Sequence, residues 1–344
     1  LGDVYKRQVL NAAIPLKLIE KSLKTELLIE YVKTDGATKR QLEILELLKT
    51  CGKTSLIDFE KKAKTTRATI KKLETLGCVK LIEEQVYRNP LDILHIDKKE
   101  DLFELSETQQ KVYEGISEQI KAQKSPQILL HGVTASGKTE VYFKLIEDTI
   151  KAGKNVLFLA PEIALASQLT KRLAKKFGTK DVAIWHSSIS EGERYDVWQK
   201  LYKNEIKILA GARSAVFAPL KDIGLIIIDE EHESAYKQTS PAPRYDARLV
   251  ARKLAEFNNC PLLLGSATPD ISSYYRAVNS NHLFEMLKRF NNAKVAPVTV
   301  INMQEYGRAA YKSQISKPLQ TAIQETLDNN QQVILLINRR GYST

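Results

Sequence analysis

The sequence predicts an α/β protein: a doubly wound domain on a parallel sheet, preceded by a small helical unit and followed by the start of a second α/β unit. Three observations predict it. The apolar runs ILLHG, NVLFLAPE, VAIWH, IKILAGA, IGLIIIDEE and PLLLGSA have the near-continuous hydrophobicity of strands buried on both faces. Amphipathic helical stretches, EVYFKLIEDTIKAG and ALASQLTKRLAKKFG among them, alternate with these runs, as parallel winding requires. Upstream, helical spacing is interrupted at short intervals by turn residues, which is the pattern of a compact helical module.

That module spans residues 37–96. ATKRQLEILELLKTCG has its apolar positions (Leu42, Ile44, Leu45, Leu47, Leu48) on one helical face and stops at Gly52. SLIDFEKKA is a second short helix, and TTRATIKKLETLG a third, with Thr66 as N-cap and Gly77 as its stop. VKLIEEQVYRNP then reads as two short strands around a turn, so the unit is expected to be a winged helix-turn-helix. Between Lys61 and Leu73 lie six basic residues and no acid; on a recognition helix, Arg67, Lys71 and Lys72 would contact phosphates, whereas on a structural module they would be a solvated basic face. RNPLDILHIDKKEDLFEL reads as a linker, the doubly wound domain as 106–285, and the second unit as 297–344, with helix PLQTAIQETLDNN and strand QVILLINRRGY.

A chain of 344 residues can hold two or three such domains. Apolar and charged contents of 43% and 27% are those of a globular protein, and no apolar run approaches a membrane span, so no membrane association is expected. The three cysteines, Cys51, Cys78 and Cys260, form no paired motif, and the charged start LGDVYKRQ is unlike a signal peptide; buried thiols in a reducing cytoplasm are expected. Lys and Arg exceed Asp and Glu by 52 − 41 = 11, which favours a polyanionic partner.

The chemistry concentrates in the doubly wound domain. Gly132, Val133, Thr134, Ala135, Ser136, Gly137, Lys138 and Thr139 match GxxxxGK[ST] between a strand and a helix. The glycines let backbone N–H groups point at phosphate oxygens, Lys138 supplies a positive charge near the β/γ-phosphates, and Thr139 offers a hydroxyl to Mg²⁺. About ninety residues on, LIIIDEEH places Asp229 where it would hold Mg²⁺ and Glu230 where it would orient or deprotonate an attacking water. His232 would relay between nucleotide and DNA or cap a helix. Ser266 and Thr268 in GSAT can bond both to that site and to a moving partner lobe. Loop, DEEH and SAT in this order are the arrangement of superfamily 2 helicases, with RecA-like lobes; an NKxD element of a GTPase is not found.

HGVTASGKTEVY, LAPEIAL, GARSAVFAPL, GLIIIDEEHESAYKQ, RYDAR, LLLGSATP and VILLINRRGY, in order over roughly 106–342, resemble the motifs of the bacterial primosomal replication-restart helicases, the PriA family. The resemblance implies an ATP- and Mg²⁺-dependent DNA helicase moving 3′ to 5′. Such an enzyme binds stalled or abandoned forks with single-stranded segments and starts primosome assembly with primosome proteins and single-stranded DNA-binding protein, as a monomer. It also implies that Gln109 in LSETQ reads the adenine and that Arg213 and Ser214 lie along the DNA backbone. Tyr236, Lys237, Arg244 and Tyr245 match an aromatic-rich loop coupling DNA contact to hydrolysis; the alternative is a surface loop with incidental tyrosines. The family's two-zinc cysteine insertion and second-lobe arginines do not occur in this chain, and residues 1–30 resemble a remnant of its N-terminal DNA-binding domain. A fragment that binds ATP but hydrolyses it poorly is therefore expected, with LGDVYKRQ an artefact of cloning or assembly. The rival readings are another superfamily 2 DNA translocase and a winged-helix DNA-binding regulator with an ATP-dependent switch.

Overall fold

The computed structural model describes residues 25–85, 91, 104–161, 163–240, 242–290, 297–303 and 315–336. Residues 1–24, most of the linker and the segment NRRGY lie outside the described residues. The chain divides into two units, Leu1–Asn292 and Ala293–Thr344.

Within the first unit, the three expected upstream helices form as α1 (Lys39–Cys51), α2 (Leu56–Lys62) and α3 (Arg67–Thr75). Thr38 and Gln41 make a capping box at the start of α1, and Gly52 and Gly77 follow α1 and α3 with φ of 66° and 71°, which glycine adopts without strain. Leu45, Leu48, Phe59, Ile70 and Leu73 bury the inner faces of these helices against Ile29 and Val79. The sheet differs from the expected ribbon. Val79–Gln85 (β3) is one continuous strand, and its antiparallel partner is upstream, Thr25–Tyr31 (β1), from Thr25 opposite Gln85 to Tyr31 opposite Val79. A two-residue strand, Thr54–Ser55 (β2), flanks β1 on its other edge. Part of the segment read as an N-terminal remnant therefore completes this module. Cys78 and Cys260 are buried, but Cys51 is only partly so, with Lys62 Nζ 3.3 Å from its sulfur.

The six expected strands form as β4 (Gln127–Gly132), β5 (Asn155–Leu159), β6 (Val182–Trp185), β7 (Ile208–Gly211), β8 (Ile223–Ile228) and β11 (Leu262–Ser266), joined by an edge strand β12 (Leu283–Met286), while β9 (Lys237–Gln238) and β10 (Tyr245–Asp246) pair separately as a small hairpin. The six and β12 make one parallel sheet in the order β12-β4-β11-β8-β5-β7-β6. Both faces are covered, as the unbroken apolar runs require. Ile128, Leu130, Val156, Phe158, Leu225 and Ile227 pack under helices α4 (Glu107–Ala122), α5 (Lys138–Lys151) and α6 (Ile163–Phe177). The alternate residues Leu129, Leu157, Leu159, Ile226 and Ile228 pack under α7 (Glu191–Tyr202) and α8 (Ala247–Asn258). The period-2 pleat thus divides one sheet between two cores. The loop after β4 and the carboxylates after β8 are separated only by β11, and all three strands point their carboxyl ends to one edge.

In the second unit, α10 (Lys317–Asp328) is capped by Ser316, whose hydroxyl accepts from Leu319 N, with proline in the first turn. Residues 332–336, the described part of QVILLINRRGY, carry no strand. A strand needs a neighbour to satisfy its backbone, and no partner for this one occurs among the described residues. No described helix is long and apolar enough to cross a membrane.

Candidate active site

The loop after β4 has the shape its glycines permit. Gly137 sits at φ 87°, and a Cβ there would lie 2.1 Å from Gln109 Nε2; one on Gly132 would lie 2.6 Å from Ser136 Oγ. Neither position tolerates a side chain. Gly137 is also the N-cap of α5, with no side chain capping it, so the helix's first N–H groups are left for an outside acceptor. Ser136 Oγ is buried with no partner, and Lys138, 8% exposed, turns its ammonium back to donate to Gly132 O at 2.7 Å. An orphaned hydroxyl, an uncapped helix end and a folded-back cation around one concave turn fit the phosphates of a nucleotide. Thr134 and Ala135 form the exposed tip, and Thr139 is partly exposed at the start of α5.

Gln109 is placed differently from the expectation that it reads a base. It is 3% exposed; Oε1 accepts Ser106 N at 2.8 Å in the capping box of α4, and Nε2 donates to Ser136 O at 3.4 Å. Both ends of the amide are engaged, one with its own helix and one with the phosphate loop, so it braces the loop.

Across β11, Asp229 directly follows β8 and is partly buried. Burial first, then the charge of Glu230, push it above the usual carboxylate range, while the Tyr142 hydroxyl and the Lys138 charge oppose that rise. A carboxylate held at such a cost favours a cation beside it. One carboxylate and one threonine hydroxyl fit Mg²⁺, which completes its shell with water and substrate phosphates and needs no all-protein cage. Glu230 is held at φ 47°, a left-handed conformation costing about 1–3 kcal/mol in a non-glycine residue and typical of functional turns. His232 Nδ1 is 2.7 Å from Ser266 Oγ and 3.7 Å from Glu230 Oε2. Ser266 is fully buried and also accepts Thr268 N at 3.0 Å, so this triplet ties the carboxylate turn to the β11 loop; the Thr268 side chain is exposed.

Glu231, next to Glu230 in sequence, does other work. It is fully buried and faces away from the loop; Oε1 accepts Asp270 N at 2.7 Å and Oε2 accepts Ser273 Oγ at 3.1 Å. Its carbonyl accepts Arg248 Nη1 at 2.9 Å, and Arg248 pairs with Asp246 at 2.6 Å. Glu231 therefore anchors the turn onto α8 and onto α9 (Ile271–Asn279).

Of the residues expected on DNA, Arg213, Ser214, Lys237, Arg244 and Tyr245 come together beside a small hairpin, Lys237–Gln238 paired with Tyr245–Asp246. Lys237 and Arg244 are exposed. Arg213 donates to Ala235 O and Lys237 O, each at 3.2 Å, and lies 5.8 Å from the Tyr245 ring centre. Tyr236 is a correction. Its ring is fully buried in the core, and its hydroxyl donates to Asp229 O at 2.6 Å and approaches Leu159 O at 3.2 Å, so it has no face to offer a base. Tyr236→Ala should lower stability by about 3–5 kcal/mol and Tyr236→Phe by about 1–2 kcal/mol, read by urea unfolding; a base-stacking residue would instead lower DNA affinity at unchanged stability. In the upstream module, Arg67, Lys71 and Lys72 are exposed on α3.

Three site residues escape sequence reasoning: Tyr142, Gly265 and Glu231. Tyr142 Oη donates to Asp229 Oδ1 at 3.0 Å, and a Cβ on Gly265 would lie 1.7 Å from the tyrosine oxygen. A glycine inside the otherwise apolar run PLLLGSA is the available signal, since a strand glycine marks close approach.

This constellation, on this sheet order, defines a P-loop nucleotide-binding lobe. The family described as type III restriction enzyme, res subunit, matches residues 102–271. The replication restart protein PriA of Bacillus subtilis (strain 168) is 43% identical over 83% of this chain and 35% of that protein. PriA of Synechocystis sp. is 38% identical over 100% of this chain and 42% of the relative. A solved structure of RecG bound to a three-way DNA junction is 23% identical over 56% of this chain and 25% of that one, with a TM-score of 0.44, too slight a likeness to carry an argument. The chain is similar to these PriA proteins over most or all of its own length, and it spans 35% and 42% of theirs.

Proposed function

We propose that this chain carries the ATP-binding lobe of a 3′-to-5′ DNA helicase that acts on stalled or abandoned replication forks and initiates primosome assembly. The carrying observation is the pairing of the phosphate loop with Asp229 and Glu230 across β11 in a chain 43% identical to a replication restart protein. In this reading, Lys138 and the N–H groups of α5 bind the phosphates, and Thr139 and Asp229 hold Mg²⁺, which when bound neutralises charge on the β/γ-phosphates. Glu230 orients the attacking water, and His232 and Ser266 tie that turn to the β11 loop. Arg213, Ser214, Lys237, Arg244 and Tyr245 track the DNA backbone. The upstream module acts as a winged helix, with Arg67, Lys71 and Lys72 on phosphates. Primosome proteins and single-stranded DNA-binding protein are the partners, in the cytoplasm, with the enzyme monomeric.

Binding to a fluorescent fork tests the reading through its salt dependence. Replacing Lys71 and Lys72 together by alanine should flatten the slope of log affinity against log salt by about 2, one for each phosphate no longer neutralised. An unchanged slope would remove α3 from the DNA interface. Fork DNA should also bind more tightly than a blunt duplex of equal length; equal affinities would count against fork recognition.

A further inference from the structure

Asp229 is partly buried, and a carboxylate removed from bulk water is positioned by whatever hydrogen-bonds to it. Among the described residues, the side chain that does so is a tyrosine from the phosphate-binding helix. Tyr142 lies three residues after Thr139 on α5, on the same side of the helix. Its ring is fully buried and packs edge-on against Phe158, with ring centres 5.7 Å apart, which fixes the direction of the hydroxyl. That hydroxyl occupies the space a side chain at position 265 would fill and donates to Asp229 Oδ1 at 3.0 Å. One helix thus carries the phosphate lysine, the metal-site threonine and a donor to the metal-site aspartate.

We propose that Tyr142 is a positioning residue for the metal: by holding Asp229 Oδ1 it presents the carboxylate to Mg²⁺ bound with nucleotide, and Gly265 is glycine to leave room for the contact. The proposal rests on the nucleotide-site reading above. Carboxylates next to a metal are commonly oriented by such outer hydrogen bonds, and losing one typically lowers metal affinity about 10- to 100-fold. A tyrosine that merely filled the core would contribute to stability and leave the metal unaffected.

The test is calorimetric titration of the whole chain with ADP, in EDTA and in Mg²⁺, for wild type, Tyr142→Phe, Gly265→Ala, Asp229→Ala and Tyr142→Phe/Asp229→Ala, with melting temperatures measured for each. Mn²⁺ binding in the presence of ADP, followed by its electron spin resonance signal, supplies a second readout of the metal. Tyr142→Phe should bind ADP in EDTA within about twofold of wild type and show roughly tenfold weaker Mn²⁺ binding. Gly265→Ala, which crowds the hydroxyl away without deleting it, should do the same. In the Asp229→Ala background the phenylalanine should add no further loss, because the two changes remove one interaction. The proposal is overturned if Tyr142→Phe and Gly265→Ala keep wild-type metal affinity while only their melting temperatures fall, or if the double variant loses the sum of the single losses. Wild type that binds ADP with no gain from metal overturns the metal site itself. Wild type that binds no ADP overturns the nucleotide reading, a result distinct from either.

Discussion

Lys138→Ala should weaken ATP-analogue binding by more than about 100-fold, because a cation aimed at phosphate makes charge-assisted hydrogen bonds of roughly 1.5–3 kcal/mol each. The ammonium lies 2.7 Å from Gly132 O, over a loop whose Ser136 hydroxyl is buried and unpartnered and whose helix end has no side-chain cap. Removing it deletes the one lysine charge of the loop and leaves the surrounding backbone in place. The melting temperature should therefore move by only a few degrees. Equilibrium binding of a fluorescent ATP analogue checks the first expectation and a thermal melt the second. Wild-type affinity in the variant would mean that the loop does not hold phosphate.

The second large effect separates two neighbouring glutamates. Glu231→Ala should destabilise the first unit by about 2–4 kcal/mol, since it strands a backbone N–H and a hydroxyl that its buried carboxyl now satisfies. At that size, the melting temperature should fall by roughly 5–15 °C. Glu230 has a side chain about one-third exposed, and His232 Nδ1 lies 3.7 Å from its Oε2. Glu230→Gln should leave the melting temperature within about 2 °C of wild type, as a surface substitution does, and retain binding of the ATP analogue while removing the group that orients the attacking water. Thermal melts of both variants, paired with analogue binding, check this. Equal melting temperatures for the two would mean that the division of labour in DEEH is wrongly assigned.

What could be read from the sequence follows from how local each signal is. The phosphate loop was legible because its geometry depends on two glycines, a lysine and a threonine at fixed spacing, all within eight residues. The parallel sheet was legible because strands buried on both faces cannot alternate with polar residues. The pairing of Thr25–Tyr31 with Val79–Gln85 was not, because it joins segments about fifty residues apart, and a seven-residue strand does not announce its partner. Tyr236 misled for a different reason. An aromatic in a charged loop reads equally well as a base-stacking platform or as a core plug, and only burial distinguishes the two. Glu231 and Glu230 lie just past the end of β8, where the strand's period no longer says which side chain faces the site. Gln109 combined a recognisable S-x-x-Q capping box with a family role, and the structure gives its amide to the cap and to the loop.

A helicase lobe differs from a simple nucleotide-binding domain in that its nucleotide site is coupled to DNA. The direct test is the affinity of the chain for forked DNA, measured by fluorescence anisotropy with a non-hydrolysable ATP analogue and again with ADP, for wild type and for Lys138→Ala. Coupling predicts that wild-type affinities differ between the two nucleotides by at least about fivefold, and that the variant shows no difference. Equal affinities in wild type, with both nucleotides shown to be bound, would mean that the site and the DNA surface act independently and that the helicase reading fails.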